Sequence, residues 1–336
     1  MHFIGIDISA DNFAASIFSS VNKPIISEEG FDNNPSGFET FLSWLDKHGI
    51  VPEYSVICME ATGVYGENLS YWLVARGFKT VIEHPLKVKR AFLTKGHKTD
   101  KIDSKRIAEY AYRHVDKLKF WTPPEKIIEQ IKVLLSTREQ FVKQRTANSN
   151  ALKALKRKKI QTPLANHLYQ QTINRLDKQI QQIEKELRNL IDKDSFFKNT
   201  LNNLEAIPGV GLLLTANFLV ATNGFTTEMA TNYKKAAAFL GVCPYQYESG
   251  TSKYRNPTSV KYGPKRMRKL LHLASRSNMA HNSSFCLYAS IKLSQGKNNR
   301  IILNNMCNKL LKIMCAIIRT GKPYVYNHVS KHPKFA

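Results

Sequence analysis

A carboxylate inside a short hydrophobic strand is the feature that most constrains how this chain folds. The run from Phe3 to Ile8 reads FIGIDI, which is rich in isoleucine and short enough for a buried strand. Burying the Asp7 carboxylate within such a strand is costly unless a cation or hydrogen-bond donors compensate its charge. We therefore predict a sheet that carries a charged site, and Asp7 is its first candidate residue.

Further strand-like and helix-like runs place Asp7 in an α/β domain. Residues 14–18, 54–59 and 79–82 are apolar and β-rich, whereas residues 37–47 and 66–75 follow turn residues and have helical character. This alternation predicts an α/β domain over residues 1–120, with its parallel strands ending at one edge, where such sheets build their sites.

Three more acids are expected near the same edge of the predicted sheet. Glu60 follows the second strand, and Asp100 and Asp103 are spaced to share one face of a helix. Four close carboxylates repel one another unless a divalent cation neutralises them, and oxygen-only ligands favour Mg²⁺ or Mn²⁺. Two such ions could stabilise the attacking and leaving oxygens of a phosphodiester. The alternative is that Glu60 is a helix N-terminal acid and that Asp100 and Asp103 are solvated cap and ion-pair residues.

The charge balance points to a polyanionic partner. Fifty Lys and Arg residues against 26 Asp and Glu give a formal net charge of +24, which favours nucleic acid over a charge kept for solubility alone. The predicted phosphate contacts come from three basic segments, and each could instead be solvated. They are Lys87, Lys89, Arg90, Lys95, Lys98, Lys156, Arg157, Lys261, Lys265, Arg266 and Arg268.

The middle of the chain, residues 121–200, has the pattern of long helices. Apolar residues at alternating spacings of three and four form a coiled-coil seam, and Pro163 separates this helix from an earlier one over residues 125–159. The seam residues are Ile173, Leu176, Ile180, Ile183, Leu187 and Leu190. Two such helices form either a dimerisation arm or an intramolecular hairpin, and the sequence leaves both open.

Residues 201–336 form a third, mainly helical region. It opens on Ile207-Pro208-Gly209-Val210-Gly211, which is similar to a helix-hairpin-helix turn whose backbone N–H groups can face a phosphate. A Pro-Gly turn between two core helices would look the same. A basic stretch over 261–269 and two largely apolar helices follow.

Cysteine usage and hydropathy predict a soluble cytoplasmic protein. The five cysteines are odd in number and lack C-x-x-C spacing, so we expect free thiols in a reducing compartment. Asp7 interrupts the first apolar stretch, which excludes a signal peptide on this reading. The apolar runs 212–221 and 310–318 are shorter than the roughly 20 residues that a membrane span requires. We expect no membrane partner and a bacterial, nucleoid-associated location.

Short motifs follow one another in order along the chain. The N-terminal motifs are Gly5-Ile6-Asp7, Met59-Glu60-Ala61-Thr62-Gly63 and Lys98-Thr99-Asp100-Lys101-Ile102-Asp103. The C-terminal motifs are Ile207-Pro208-Gly209-Val210-Gly211, Ala238-Phe239-Leu240-Gly241, Pro244, Ser249-Gly250, Lys261-x-Gly263, Arg268 and Ala274. This ordered series, over essentially the whole chain, resembles the IS110 family of transposases and the related Piv-type DNA invertases.

This resemblance implies a RuvC-like, RNase H-type N-terminal domain whose DEDD acids bind Mg²⁺. By motif position those acids are Asp7, Glu60, Asp100 and Asp103. It also implies a C-terminal transposase domain in which Ser249 attacks DNA. Many relatives have two serines before the glycine, whereas Glu248 precedes Ser249 here, so Ser252 and Ser259 remain alternative nucleophiles.

The resemblance further implies a non-coding RNA, encoded by the element, that pairs with donor and target DNA. Strand exchange between two duplexes requires a homo-oligomer, either a dimer or a tetramer, and we expect the acids and the serine to meet between chains. Three other functions stay open: an RNA-independent invertase, a RuvC-like junction nuclease, and a catalytically silent nucleic-acid-binding protein. An actin-like sugar kinase is remote, because its phosphate-binding glycine loops are not evident.

Overall fold

The chain divides into two units, residues 1–123 and 124–336. The computed structural model describes residues 1–19, 25–61, 63–92, 100–249, 253–259 and 263–326. An α/β N-terminal part followed by a mostly helical remainder was predicted, and the structure confirms it. The helices predicted as a separate middle region belong to the same compact unit as the C-terminal part.

The first unit is built on a five-stranded sheet of order β3-β2-β1-β4-β5. The strands are β1 (His2–Ile8), β2 (Asn12–Ser19), β3 (Ile25–Asp32), β4 (Ser55–Glu60) and β5 (Lys79–Glu83). The first three are antiparallel to one another, whereas β4 runs parallel to both β1 and β5. The carboxyl ends of β1, β4 and β5 therefore lie at the same edge.

Helices cover both faces of this sheet. They are α1 (Pro35–Lys47), α2 (Glu67–Ala75), α3 (Pro85–Ala91) and α4 (Asp100–Arg113). Because side chains alternate along a strand, Ile4 and Ile6 of β1 pack in the core that contains α1 and α2 residues, whereas Phe3 packs in the core that contains α3 and α4 residues. Asp7 shares the parity of Phe3 and therefore lies on the α4 face.

The second unit consists of nine helices and one hairpin within the described residues. Its helices are α5 (Lys126–Leu155), α6 (Pro163–Asp192), α7 (Ser195–Glu205), α8 (Leu212–Ala221), α9 (Glu228–Thr231), α10 (Tyr233–Leu240), α11 (Lys265–His281), α12 (Ser283–Ser294) and α13 (Asn299–Thr320). Two antiparallel strands, β6 (Pro244–Ser249) and β7 (Lys253–Ser259), stand between α10 and α11. One apolar core joins the base of α5 and α6 to the later helices.

Helices α5 and α6 pack against each other as an antiparallel hairpin. Leu176, Ile180 and Leu187 of the predicted seam are buried. Ion pairs join the helices at two levels, Arg138 to Glu184 at 2.6 Å and Arg145 to Asp177 at 2.9 Å. The intramolecular hairpin is therefore the arrangement within the chain. Pro163 occupies the first turn of α6, where its missing N–H costs nothing.

The apolar run 310–318 was expected to be too short to span a membrane. It belongs to α13, which is a longer helix than that run. Its 22 residues are long and apolar enough to cross a membrane by length and composition. Half of that window is buried inside the protein, and Met306, Leu310 and Met314 are fully enclosed in the core of the second unit. These contacts make α13 the central packing helix of that unit.

The five cysteines are free thiols, as predicted. Burial raises the pKa of Cys58 and Cys315 to about 12 and that of Cys307 to about 11. These three thiols stay protonated near neutral pH and act as small apolar residues.

Candidate active site

Two of the predicted acids end neighbouring parallel strands. The register of β1 and β4 pairs Ile6 with Met59, and Asp7 and Glu60 are the next residues on their strands. Adjacent strands are about 4.8 Å apart, so the two positions are close across the ladder. Ile6 and Met59 are buried in the α1–α2 core, which places Asp7 and Glu60 on the opposite face, beneath α4.

Helix α4 runs antiparallel to β1 and brings its first turn toward this position. Near its end, the Tyr112 ring contacts Phe3 with centroids 5.5 Å apart. In its first half, Ser104 lies over the middle of β1, and its hydroxyl bonds to that of Ser16 at 2.7 Å. The turn that carries Asp100 and Asp103 therefore lies toward the carboxyl end of β1.

Gly5 allows the close approach of α4 to the sheet. A Cβ atom at this position would stand 2.2 Å from the Ala108 nitrogen and 2.2 Å from the Ser104 carbonyl oxygen. Only a residue without a side chain fits between strand and helix here. The glycine two positions before Asp7 thus helps to set how near the α4 acids come to the strand acids.

The four acids differ in exposure and partners. Asp7, Glu60 and Asp103 are half-buried, whereas Asp100 is exposed. Asp103 forms an ion pair with Arg106 at 3.3 Å, which is the ion-pair alternative considered above. Over the described residues, no three His, Cys, Asp or Glu side chains are grouped closely enough to hold a metal ion. The segment 93–99, which leads into α4, lies outside those residues.

Glu83 is a fifth acid at this edge, and the sequence reasoning missed it. It ends β5 and pairs with Glu60 across the ladder. Its carboxylate is buried and accepts hydrogen bonds from the His84 backbone at 2.9 Å and from the Tyr110 hydroxyl at 3.2 Å. The Lys87 ammonium forms an ion pair with the same carboxylate at 2.9 Å. The signal was available, since Glu83 directly follows a predicted strand.

These contacts keep Glu83 ionised. Burial alone would raise the pKa of Glu83, but hydrogen bonds from Lys87 and His84 and the charge of Lys87 outweigh it and hold the pKa below its ordinary value. Burial and the Glu83 charge raise the pKa of Tyr110 to about 12, so its hydroxyl remains a donor. Because Tyr110 belongs to α4, Glu83 ties the acid-bearing helix to the end of β5.

Ser249 is the last residue of β6 in the second unit. It pairs in register with Lys253 at the end of the hairpin. Gly250 and the alternative nucleophile Ser252 lie outside the described residues. Ser259, the other alternative, is half-buried and donates a hydrogen bond to the Val242 carbonyl at 3.4 Å. That bond gives Ser259 a partner within the fold, and the choice of Ser249 as the nucleophile stays a prediction.

Two of the predicted phosphate contacts hold the second unit together. Arg266 donates to the Leu135 carbonyl at 2.5 Å and pairs with Glu139 at 3.4 Å. Arg268 donates to the carbonyls of Leu240 and Gly263. These guanidinium groups join separate segments of the fold, so packing accounts for them. Their contact with phosphate stays a prediction.

The other predicted cations are more accessible. Lys87 is bonded to Glu83 but remains largely exposed. A further group is exposed on α3, on the turn after α5 and at the start of α11: Lys89, Arg90, Lys156, Arg157 and Lys265. Three more lie outside the described residues, namely Lys95, Lys98 and Lys261.

Comparison with known families assigns both halves of the chain. Residues 4–157 match the DEDD transposase model of IS110 elements, and residues 201–289 match the transposase model of the IS116/IS110/IS902 family. The chain belongs to the IS110 family of transposases. The first match contains Asp7, Glu60, Asp100 and Asp103, and the second contains Ser249, so the two candidate groups fall in the two family-defining segments of this transposase.

Individual relatives of this IS110-family transposase include invertases and a transposase. The pilin gene-inverting protein of Moraxella bovis is 26% identical over 329 residues, covering 96% of this chain and 97% of that protein. The corresponding protein of Moraxella lacunata is also 26% identical over the same shares of both chains. The transposase for insertion sequence element IS1111A of Coxiella burnetii (strain RSA 493 / Nine Mile phase I) is 28% identical over 305 residues, or 80% of this chain and 79% of that protein.

Proposed function

We propose that this IS110-family transposase cuts and rejoins DNA with a Mg²⁺-dependent acid site and a serine nucleophile. The observation that carries the proposal is that Asp7, Glu60 and the first turn of α4 all lie toward the same edge of the sheet. The strand order β3-β2-β1-β4-β5, with β1, β4 and β5 parallel, supports a RuvC-like, RNase H-type domain.

The donor set suits a hard divalent cation. Asp7, Glu60, Asp100 and Asp103 offer only carboxylate oxygens, which Mg²⁺ and Mn²⁺ prefer. When bound, the metal would neutralise charge on the phosphate that reacts. Asp103 would release Arg106 from their ion pair in order to bind the metal ion. Glu83, whose charge is paired with Lys87, would hold α4 and β5 in place through Tyr110.

Ser249 would supply the nucleophile. As its Oγ forms a bond to phosphorus, the bond to one strand oxygen breaks, and the hydroxyl proton passes to solvent or to the leaving oxygen. The product is a phosphoserine diester, which keeps the phosphodiester available for rejoining. The end of a short hairpin is a suitable carrier, because a loop tip can reach a substrate groove.

The partners follow from charge and from relatives. A net charge of +24 supports binding of DNA and of a guide RNA encoded by the element. Strand exchange would use a dimer or a tetramer, with the acids and the serine meeting between chains. Mixing Asp7→Ala with Ser249→Ala protein tests this arrangement, since restored activity requires assembly in trans, and no restoration contradicts it.

A second candidate is RNA-independent DNA inversion. The supporting observation is the full-length match to two proteins described as pilin gene-inverting. A recombination assay on element-end DNA with Mg²⁺, with and without RNA from the element's flanks, separates the two. RNA-dependent product supports the guided transposase, product without RNA supports inversion, and cleavage without joining would indicate a nuclease.

The serine is tested in the same assay by trapping protein–DNA adducts on denaturing gels. Ser249→Ala should lose the adduct. Ser259→Ala is the matched control, because Ser259 lies ten residues further along the same hairpin and bonds to Val242. An adduct that survives in Ser249→Ala but disappears in Ser259→Ala would reverse the assignment.

A further inference from the structure

The charges of the α5–α6 hairpin are divided sharply along its length. The half next to the core, residues 125–139 and 177–192, holds seven acids and six Lys or Arg residues. The distal half, residues 140–176, holds eight Lys or Arg residues and no acid. The distal cations are Lys143, Arg145, Lys153, Lys156, Arg157, Lys158, Lys159 and Arg175.

The cations at the tip are out of reach of the hairpin's own acids. Lys143 pairs with Glu139, and Arg145 pairs with Asp177, so the border between the halves is neutralised. Lys153 stands 14 residues beyond Glu139, which is about 21 Å along a helix. The positive charge of the tip is therefore not compensated along the hairpin.

The tip is a defined turn. Residues 156–159 are all exposed and follow directly on α5. The Gln161 side chain donates to the carbonyl oxygens of Leu155 and Lys156 at 3.5 and 3.4 Å, and to that of Lys158. These bonds hold the turn that presents the four consecutive cations, which reduces the conformational entropy lost on binding a partner.

The neutral residues of the distal half indicate the kind of partner. Thirteen of them are Asn, Gln, Ser or Thr, whose amides and hydroxyls donate to phosphate and sugar oxygens. Two distal halves, each with eight cations, would repel each other, so this segment is unsuited to pair with its copy. Ile160, which is 83% exposed beside the cations, makes an anionic lipid surface the competing partner.

We propose that the distal half of the hairpin, residues 140–176, is an arm that binds the phosphate backbone of a nucleic-acid duplex. The inference rests on the proposed function in that the duplex is the element's DNA or a paired region of its RNA. Polar side chains outnumber exposed apolar ones on the arm, and this favours nucleic acid over lipid. Since the arm offers charge and hydrogen bonds, it follows the backbone and contributes little sequence choice.

The test removes the charge of the tip and compares it with an equal loss elsewhere. The distal variant combines Lys156→Gln, Arg157→Gln, Lys158→Gln and Lys159→Gln. The control combines Lys126→Gln, Lys132→Gln, Lys178→Gln and Lys185→Gln in the proximal half, where all four side chains are exposed. Both variants lose four positive charges, and the control also loses the surface ion pair of Lys132 with Glu129. Circular dichroism checks that both keep their helices.

Binding is measured by fluorescence anisotropy at several salt concentrations without divalent metal, so that catalysis plays no part. The probes are a DNA duplex of about 30 base pairs, the corresponding RNA duplex, and phosphatidylserine vesicles. Each lost phosphate contact should lower the salt slope by about 0.9 and the affinity at 0.1 M salt about 8-fold. The distal variant should therefore lose about 60-fold if two contacts are made, and the control much less.

Each outcome decides the matter. If the distal variant loses affinity for the DNA duplex alone or the RNA duplex alone, the arm is supported and its duplex is identified. A loss of affinity for both duplexes supports backbone binding in general. Equal losses of affinity in the two variants, or a loss confined to the vesicles, refute the proposal that the arm binds a duplex. If the wild type binds the duplexes and the distal variant equals the control, only the arm is refuted. A wild type that binds neither duplex refutes the proposed function as well.

Discussion

Replacing Gly5 by alanine should separate α4 from the sheet and weaken the acid site. The new Cβ would stand 2.2 Å from two backbone atoms of α4, whereas ordinary contacts begin at 3.4 Å. Strand and helix must therefore move apart by about 1 Å. Overpacking of this kind costs about 1–3 kcal/mol of unfolding free energy. Loss of the buried Ser16–Ser104 hydrogen bond would add about 1–3 kcal/mol.

The same displacement should affect activity more than stability, because Asp100 and Asp103 move with α4. A misplacement of 1 Å can lower a reaction rate about 100-fold. Urea unfolding followed by circular dichroism gives the stability, and strand cleavage per folded molecule gives the activity. Gly66→Ala is the matched control, since the Cβ there meets Met59 at an ordinary 3.4 Å. Wild-type stability and cleavage in Gly5→Ala would refute the close packing of α4 on β1.

Two further substitutions probe the carboxylate at β5 and the second unit. The folded-state pKa of Glu83 lies below the ordinary value, so its ion pair with Lys87 stabilises the fold above about pH 4.5 and is lost as the pH falls through the folded pKa. Glu83→Gln should therefore flatten the decline of the urea midpoint between pH 5 and pH 3, and an unchanged decline would contradict this. Gly263→Ala should lower the free energy of unfolding by about 1–3 kcal/mol in thermal denaturation, because its Cβ would lie 1.9 Å from the Phe239 carbonyl oxygen. Gly211→Ala is the control. Its Cβ would meet nothing within 4 Å, so it should cost less than about 1 kcal/mol. Equal costs would contradict the packing of Gly263.

The sequence predicted four of the five strands of the first unit and missed one edge strand, β3. Strands were expected over 3–8, 54–59 and 79–82, and they run His2–Ile8, Ser55–Glu60 and Lys79–Glu83. The edge strand β3 was missed, because IISEEGFD does not alternate between apolar and polar residues. The hairpin of β6 and β7 was missed as well, since its tyrosines and charges resemble a loop.

The sequence named candidate site residues but could not predict the contacts around them. Motif order singled out Asp7, Glu60, Asp100 and Asp103, yet nothing in their spacing showed that α4 approaches β1 through Gly5. The position of Glu83 after a predicted strand was readable from the sequence, but its pairing with Glu60 and its hydrogen bond from Tyr110 of α4 were not. Such contacts join positions far apart in the chain and are decided only by the tertiary fold.

The pairing of α5 with α6 is another tertiary contact that the sequence could not decide. The three-and-four spacing predicted the seam of α6, but a seam has the same pattern whether its partner is in the same chain or in another. Ion pairs between Arg138 and Glu184 and between Arg145 and Asp177 identify the intramolecular partner. The division of charge along the arm could have been read from the sequence once the two helices were aligned.

Cleavage of element-end DNA by Asp7→Asn protein tests the proposed acid site most directly. The substitution keeps the shape of the side chain and removes its charge, and Asp116→Asn, at an exposed acid of the same unit, is the control. We predict at least about a 100-fold loss of Mg²⁺-dependent cleavage in Asp7→Asn with its fold retained, and wild-type cleavage in Asp116→Asn. Undiminished cleavage by Asp7→Asn would contradict the assignment of this sheet edge as the catalytic centre.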